Sequence, residues 1–159
     1  MPAINGTMMQ AFHWDYPDDG RLWDELAANA PSLAAAGFTA LWLPSPCKAM
    51  DGPRDVGYGI YDLFDLGEFD QKGAVRTKYG TRAQLQAAVR SVRHAGLQVY
   101  LDTVLNHKGG ADATEVTTGT PVNADNRNID IGPSREIEIW TQFTFPGRGS
   151  TYSDFQWHW

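Results

Sequence analysis

Val99-Tyr-Leu-Asp-Thr-Val-Leu-Asn-His-Lys-Gly-Gly-Ala-Asp112 is the stretch that decides the fold. Its first half, residues 99–105, is apolar and rich in β-branched side chains, which predicts a buried strand. Its second half is polar and contains two glycines, which predicts a loop at the carboxyl end of that strand. Ligands and catalytic groups of α/β proteins collect at this end. Asp102 lies inside the predicted strand, and because burying an unpaired carboxylate is costly, we expect it to have a partner.

Two strands and two helices precede this stretch. The apolar runs 7–12 and 39–43 predict the strands. Residues 21–36 carry apolar side chains at helical spacing, and Pro31 is expected to kink or split that helix. Gly37 is expected to end the first helix. The second helix opens with a capping box, Thr81-Arg-Ala-Gln84, and ends at Gly96.

The resulting order is strand, helix, strand, helix, strand, which predicts an α/β protein with parallel strands. Such a series begins either a doubly wound sheet or a (β/α)-barrel. Residues 48–78 are expected to form a long loop rich in Gly, Asp and Tyr. From His107 onward the chain becomes polar, with one short helix expected around residues 134–140.

The composition excludes several classes of protein. A net charge of −6 argues against nucleic acid or an anionic membrane as partner. The single cysteine, Cys47, excludes an internal disulfide and a cysteine-rich zinc site. No apolar run approaches the roughly 20 residues needed to span a bilayer. Six Trp and six Tyr suit sugar rings, although core packing is the commoner use of aromatic side chains.

The last residues are aromatic and include Trp157 and Trp159. Because exposed tryptophans at a chain end are unusual unless more protein covers them, we expect this chain to be the N-terminal part of a larger protein.

The block Asp102-Thr-Val-Leu-Asn-His107 resembles the first signature block of the α-amylase family of glycoside hydrolases. Further segments resemble the bacterial liquefying-type enzymes of this family and follow in the same order along nearly the whole chain. They are Met9-Gln-Ala-Phe-His-Trp14, Asp55-Val-Gly-Tyr-Gly59, Tyr61-Asp-Leu-Phe-Asp-Leu-Gly-Glu-Phe69, Gln71-Lys-Gly73, Thr77-Lys-Tyr-Gly80, Asn106 to Asp112 and Phe145-Pro-Gly-Arg-Gly-Ser-Thr-Tyr-Ser-Asp154.

The resemblance implies a (β/α)₈ TIM barrel with a β-rich domain B inserted after the third strand. Residues 1–106 would hold the first three barrel strands, and residues 107–159 would begin domain B. The implied activity is retaining endo-hydrolysis of α-1,4-glucosidic bonds in starch or glycogen, which uses two carboxyl groups about 5–5.5 Å apart. In this family those carboxylates come from later strands, so we assign no catalytic residue here and expect this chain alone to be inactive.

The resemblance implies that His107 forms a hydrogen bond with the sugar beside the scissile bond, where an imidazole can donate to hydroxyls. The residue pattern alone favours a loop histidine that is satisfied by its neighbours. Tyr58 resembles the aromatic platform under that sugar, and its glycine neighbours favour exposure over core packing. Gln10 and Trp14 resemble outer substrate-binding positions. Asp102 resembles a structural aspartate whose partner is an arginine from a later strand, although it could instead close a buried network within this chain.

The resemblance also implies a Ca²⁺ site, with Na⁺ at an adjacent position. Asn106 resembles a Ca²⁺ ligand between barrel and insertion, and Asp154 a carboxylate of the same metal cluster. Ca²⁺ prefers six to eight oxygen ligands, which amide and carboxylate groups supply. From the pattern alone, a strand-end Asn that caps the turn and an isolated surface Asp are the commoner cases.

Two other functions stay open. One is a non-catalytic carbohydrate-binding module, which requires a complete fold within 159 residues. The other is a related α-glucan-active enzyme of the same superfamily, such as a trehalose- or sucrose-type relative. The expected partner is an α-glucan, and the full-length protein is expected to be a monomer. The first residues, Met1 to Gly6, have no basic start and no apolar signal core, so we expect a cytoplasmic protein, with secretion as the alternative.

Overall fold

The computed structural model describes residues 5–158, so the predicted exposure of Trp159 lies outside the described residues. The described part contains three small sheets, two α-helices and one short 3₁₀ turn. In chain order the elements are β1 (Met8–Gln10), α1 (Leu22–Ala35), β2 (Ala40–Leu43), β3 (Lys48–Ala49), the 3₁₀ turn Gly52–Arg54, β4 (Ile60–Asp62), α2 (Arg82–His94), β5 (Gln98–Leu101), β6 (Ala113–Gly119) and β7 (Arg135–Gln142).

Strands β1, β2 and β5 form a parallel sheet in sequence order, with Met9 paired to Leu41 and Leu41 paired to Val99. The two helices pack against each other, and Trp23, Leu41 and Val92 have no exposed surface in the resulting core. We call β1, α1, β2, α2 and β5 the helix–sheet layer. The mixed α/β class and the parallel strand order are therefore as predicted.

Both helices begin or end as their sequence predicts. The Thr81 hydroxyl accepts a hydrogen bond from the Gln84 N–H, and the Gln84 side chain accepts one from the Thr81 N–H. Gly37 and Gly96 have φ values of +94° and +85°, which glycine adopts without steric cost, and each directly follows the C-cap residue of a helix, Ala36 or Ala95. Pro31 does not split α1, which runs as one helix from Leu22 to Ala35.

The strand predicted over residues 99–105 is present only as far as Leu101, and its predicted burial is wrong. β5 ends at Leu101, and the side chains of Tyr100, Leu101 and Leu105 are 49%, 44% and 76% exposed. β5 is an edge strand of the described sheet: it pairs with β2 on one side, and no strand of the described residues covers its other side. Asp102 is half-buried and already belongs to the loop that follows β5.

The expected helix around residues 134–140 is also wrong, because these residues belong to β7, which pairs antiparallel with β6. In Arg135-Glu-Ile-Glu-Ile139 the side chains alternate between polar and apolar, which is the period of a strand. Ile137 and Ile139 are half-buried, whereas Glu136 and Glu138 are exposed.

The predicted loop 48–78 contains a short antiparallel pair, β3 with β4. Its residues contact the segment that follows β5. The rings of Tyr61, Phe143 and Phe145 form a second small core that joins the two segments. We call residues 48–78 and 107–153 together the charged region, because the ion pairs Asp62–Arg148 and Lys72–Asp112 connect them. No helix among residues 5–158 is long and apolar enough to cross a membrane.

Candidate functional site

Three of the predicted site residues meet around Tyr58, at the carboxyl end of the parallel sheet. The Tyr58 hydroxyl donates a hydrogen bond to Asp102 Oδ2 at 2.9 Å. The Tyr58 carbonyl oxygen lies 2.8 Å from His107 Nε2. The indole of Trp14, which is 68% exposed, stacks on the Tyr58 ring with centroids 6.1 Å apart and planes at 19°. The structure thus gathers residues from three separate segments of the chain.

The contact with Tyr58 assigns the tautomer of His107. Because a carbonyl oxygen only accepts, Nε2 must carry the proton and donate it, which leaves Nδ1 as an acceptor in the neutral ring. Asn106 Nδ2 lies 3.5 Å from that Nδ1 atom, a long contact on an exposed ring. Nδ1 is therefore the ring atom best placed to accept a hydrogen bond from a ligand hydroxyl.

Asp102 has a partner within residues 5–158, as expected for a network closed within this chain, and the arginine from a later strand stays a prediction. Its side chain accepts from Tyr58, and its backbone N–H donates to the Leu43 carbonyl at the end of β2. Burial, followed by the hydrogen bond to Asp102, raises the pKa of Tyr58 to about 12. The phenol therefore stays protonated at neutral pH and continues to donate to the carboxylate.

Gln10 and Asp154 do not contact this group. Gln10 Nε2 donates to the carbonyl of Phe12 and stays exposed at the end of β1. Asp154 is exposed, but its neighbour Phe155 lines a cavity of about 250 Å³ together with Asn106 and His107. The segment after residue 153 therefore lies beside the loop that carries His107.

The predicted Ca²⁺ ligands fit that ion in chemistry but are too few to hold it. The Asn106 carbonyl and the Asp154 carboxylate are oxygen ligands of the kind that Ca²⁺ takes, and six to eight are needed. Within residues 5–158, no group of three or more His, Cys, Asp or Glu side chains is arranged to bind a metal. Any complete Ca²⁺ site therefore needs further ligands.

Sequence reasoning missed a buried cluster of four charges. Lys48 Nζ lies 3.4 Å from Asp65 Oδ2, and Arg148 Nε lies 2.6 Å from Asp62 Oδ2, with all four side chains fully buried. Gln71 connects the two pairs, since its Nε2 donates to both carboxylates at 3.0 Å. Two positive and two negative charges balance, which is the arrangement that makes buried charges tolerable.

Arg148 also organises the turn that follows it. Its Nη1 donates to the carbonyls of Gly149, Thr151 and Ser153 at 3.1, 3.0 and 2.6 Å. The turn is thereby fixed to Asp62, which is 86 positions earlier in the chain. The signal in the sequence was weak: Lys48, Asp62 and Asp65 each interrupt an apolar run, but nothing in the sequence indicates which charges pair.

Asp112, the last residue of the segment 99–112, connects Tyr61 with the backbone of Thr144 and Phe145. Its Oδ1 accepts from the Tyr61 hydroxyl at 2.6 Å, and its Oδ2 accepts from the N–H groups of Thr144 and Phe145 at 2.8 and 3.0 Å. Burial alone would raise the pKa of Asp112, but these hydrogen bonds and the Lys72 ammonium outweigh it and lower the pKa.

Lys108, next to His107, is held against the same aromatic core. Its Nζ donates to the Tyr61 carbonyl at 3.0 Å and lies 5.7 and 5.1 Å from the ring centroids of Phe143 and Phe145. Burial lowers the pKa of Lys108, although Asp62 opposes the shift. The backbone N–H of Gly109 donates to the Ile60 carbonyl at 2.7 Å, so the loop that carries His107 is attached along β4.

Comparison with known proteins identifies close relatives of this sequence. The chain is 57% identical over 157 residues to the glucan 1,4-alpha-maltohexaosidase of Bacillus sp. (strain 707), a match that covers 99% of this chain and 30% of that protein. It is 54% identical over 156 residues to the alpha-amylase of Bacillus licheniformis, with 98% and 30% covered. It is 48% identical over 153 residues to the cytoplasmic alpha-amylase of Escherichia coli (strain K12), with 96% and 31% covered.

The chain thus spans about 30% of the length of the curated relatives that it matches. Among solved structures, a truncated alternansucrase from Leuconostoc mesenteroides has the same fold over 87% of this chain and 13% of its own, with a TM-score of 0.71 at 21% identity. An alternansucrase in complex with isomaltononaose superposes similarly, with a TM-score of 0.70 at 21% identity over 87% of this chain and 12% of that one. No family model matches the chain.

Proposed function

We propose, from the premise that this chain belongs to the α-amylase family, that it forms part of an enzyme that hydrolyses α-1,4-glucosidic bonds in starch or glycogen. The observation that carries the proposal is the 54–57% identity to enzymes of this kind over 98–99% of the chain. The nucleophile and the acid/base carboxylates would lie in the part of the relatives' length that this chain does not cover.

The fold supports this proposal. A (β/α)₈ barrel places its first strands side by side in sequence order, and β1, β2 and β5 have that order. The β6–β7 hairpin is the start of the inserted domain B in this proposal. The group around Tyr58 lies after the carboxyl ends of these strands, which is where barrel enzymes bind substrate.

In this proposal, Tyr58 and Trp14 bind glucose rings and His107 contacts a hydroxyl. A pyranose stacks its C–H surface on an aromatic face, and the stacked pair offers such faces at the surface. The Tyr58 hydroxyl bond to Asp102 fixes the ring orientation, and the His107 bond to the Tyr58 carbonyl fixes the imidazole. Nδ1 of His107 accepts from a sugar hydroxyl, and Gln10 contacts an outer sugar.

Asn106 and Asp154 would supply two of the oxygen ligands for Ca²⁺, with Na⁺ beside it. Bound Ca²⁺ would fix the junction of barrel and insertion, and no chemical step passes through it. The α-glucan partner and a monomeric full-length state belong to the same proposal. A cytoplasmic location stays a prediction; one relative carries that word in its name.

A chimera tests the proposal. We would replace the matching segment of the Bacillus licheniformis alpha-amylase with residues 3–158 of this chain and assay soluble starch in the presence of Ca²⁺. We expect kcat/KM within about tenfold of the parent, since about 1.4 kcal/mol in the barrier corresponds to that factor. A folded chimera that binds starch without hydrolysing it would favour the carbohydrate-binding module, and one that does neither would refute the proposal.

Substitution of His107 in the chimera tests its role. His107→Ala should lower kcat/KM by about 10- to 100-fold, the range for one lost hydrogen bond that strengthens in the transition state. His94→Ala is the matched control, because His94 is an exposed residue at the end of α2. Equal values for the two variants would exclude a substrate contact for His107.

A further inference from the structure

The ammonium of Lys48 lies inside a cage of five oxygen atoms. Four are backbone carbonyls from one short segment, and the fifth belongs to a carboxylate. The distances from Lys48 Nζ are 2.5 Å to Ala74 O, 2.8 Å to Val75 O, 2.9 Å to Phe69 O, 3.4 Å to Gln71 O and 3.4 Å to Asp65 Oδ2. The side chains of Lys48 and Asp65 are fully buried, so the ammonium and its carboxylate partner are shielded from solvent.

The cage offers more acceptors than a lysine can use. An ammonium on a side chain has three N–H donors, yet five oxygens lie within 3.4 Å of it. Convergent backbone carbonyls are the groups that replace the water shell of K⁺ in selectivity filters. Most of the distances exceed the roughly 2.3–2.6 Å of Ca²⁺–O contacts and the roughly 2.0–2.1 Å of Mg²⁺–O contacts, so the cage has the size for a larger monovalent ion.

The charges around the cage require an occupant. With Lys48 present, two cations balance Asp62 and Asp65 in the buried cluster. Without it, Arg148 and Lys108 still face Asp62, but Asp65 loses the cation that pairs with it. A buried charge without compensation is strongly unfavourable. Removal of the lysine side chain should therefore make the binding of one free cation at this position favourable.

We propose that the cage formed by Asp65 and residues 69–75 is a monovalent-cation site whose resident cation is the Lys48 ammonium. When the Lys48 side chain is removed, the cage binds free ammonium or potassium. The lysine is thus a covalently attached counter-ion, which makes the fold of residues 65–75 independent of dissolved cations. The inference concerns the stability of this segment and does not depend on the proposed function.

Thermal unfolding of Lys48→Ala in different chloride salts tests the proposal. At constant ionic strength, ammonium or potassium should raise the Tm of this variant above its value in tetramethylammonium chloride, whose cation is too large for the cage. The rise should saturate, and should reach roughly 2–4 °C when the ion is at about five times its dissociation constant. The Tm of the unsubstituted chain should not differ between these salts.

Two further variants separate the cage from general salt effects. Lys72→Ala is the matched control, since Lys72 also contacts a carbonyl and a carboxylate but is partly open to solvent, with 20% of its side chain exposed. Its Tm should not distinguish ammonium from tetramethylammonium. Lys48→Ala combined with Asp65→Asn removes both members of the ion pair, so this variant should fold without responding to ammonium.

The results that overturn the proposal are distinct. The first is a Tm of Lys48→Ala that is the same in all the salts. The second is an equal ammonium response in the unsubstituted chain or in Lys72→Ala. The third is a Lys48→Ala variant that is unfolded in every salt while the double variant is folded, because charge balance would then matter without the cage binding an ion.

Discussion

The helix–sheet layer and the charged region are stabilised by different forces. In the layer, Trp23, Leu41 and Val92 are buried among other apolar side chains, and stability follows from the area removed from water. In the charged region, Asp62 and Arg148 are buried as an ion pair, and stability depends on each charge keeping its partner. The stabilisation from apolar burial decreases in proportion to the area lost. A buried ion pair, in contrast, becomes destabilising as soon as one of its two charges is removed.

The largest effect should come from breaking an ion pair in the charged region. Arg148→Met leaves Asp62 buried without its cation and should lower the free energy of unfolding by about 3–5 kcal/mol, measured by urea denaturation. Arg135→Met is the control, because Arg135 is exposed on β7. A loss below about 1 kcal/mol would mean that the pair contributes no more than a surface salt bridge.

A cavity in the helix–sheet layer should cost a similar or smaller amount. Leu41→Ala removes a side chain with no exposed surface at the centre of the sheet and should lower the free energy of unfolding by about 2–5 kcal/mol. The loss should be the same at low and at high salt, because no charge is involved. A salt-dependent loss would show that the stability of the helix–sheet layer also depends on charges.

The pH dependence of stability should come from Asp112 in the charged region. Folding lowers the pKa of Asp112, so the unfolded chain binds the proton more readily than the folded chain. The contribution of Asp112 to the free energy of unfolding is therefore fully present above the unfolded pKa of about 3.9. It is lost as the pH falls through the folded pKa. Asp112→Asn should remove about 1–3 kcal/mol at neutral pH, because a half-buried, hydrogen-bonded charge is lost.

The matching measurement is urea denaturation between pH 3 and pH 7. The unsubstituted chain should lose stability at the acid end more steeply than Asp112→Asn does. Asp125→Asn is the control, since Asp125 is exposed. Parallel pH curves for the unsubstituted chain and Asp112→Asn would contradict the assignment.

The smallest effect should come from the cap of α2. Thr81→Ala removes the hydroxyl that accepts from the Gln84 N–H and should cost about 1 kcal/mol, seen as a drop in Tm of roughly 2–4 °C. Thr81→Ser keeps a hydroxyl and should stay close to the unsubstituted chain. If both substitutions cost the same, the methyl group of Thr81 rather than its hydroxyl is what stabilises the helix.

The same contrast explains what the sequence could predict. The helices, their caps and the parallel strands follow from periodicity and from Thr81, Gly37 and Gly96, which act over a few residues. The strand β7 could also have been predicted, since its side chains alternate between polar and apolar, but its length is equally compatible with a short helix. The buried charge cluster was not predictable, because no local pattern relates Asp62 to Arg148.

In the candidate site, the identities of the residues could be predicted from the sequence, whereas their contacts could not. His107, Asp102 and Tyr58 could be chosen from motifs, and the structure brings them together. Their mutual contacts could not be predicted, because they join residues 44 and 49 positions apart. The partner of Asp102 illustrates this point, since the motif indicates that the carboxylate needs a partner, whereas only the fold shows that Tyr58 supplies one within this chain.

The ion pair between Asp62 and Arg148 has a consequence for the order of events during synthesis. Asp62 leaves the ribosome 86 residues before Arg148, a delay of roughly 4–17 s at about 5–20 residues per second. The helix–sheet layer is complete once Leu101 has emerged, so it is free to fold within that interval. The nascent charged region carries Asp62 without its ion-pair partner until Arg148 appears, so this carboxylate stays hydrated until the arginine has been synthesised.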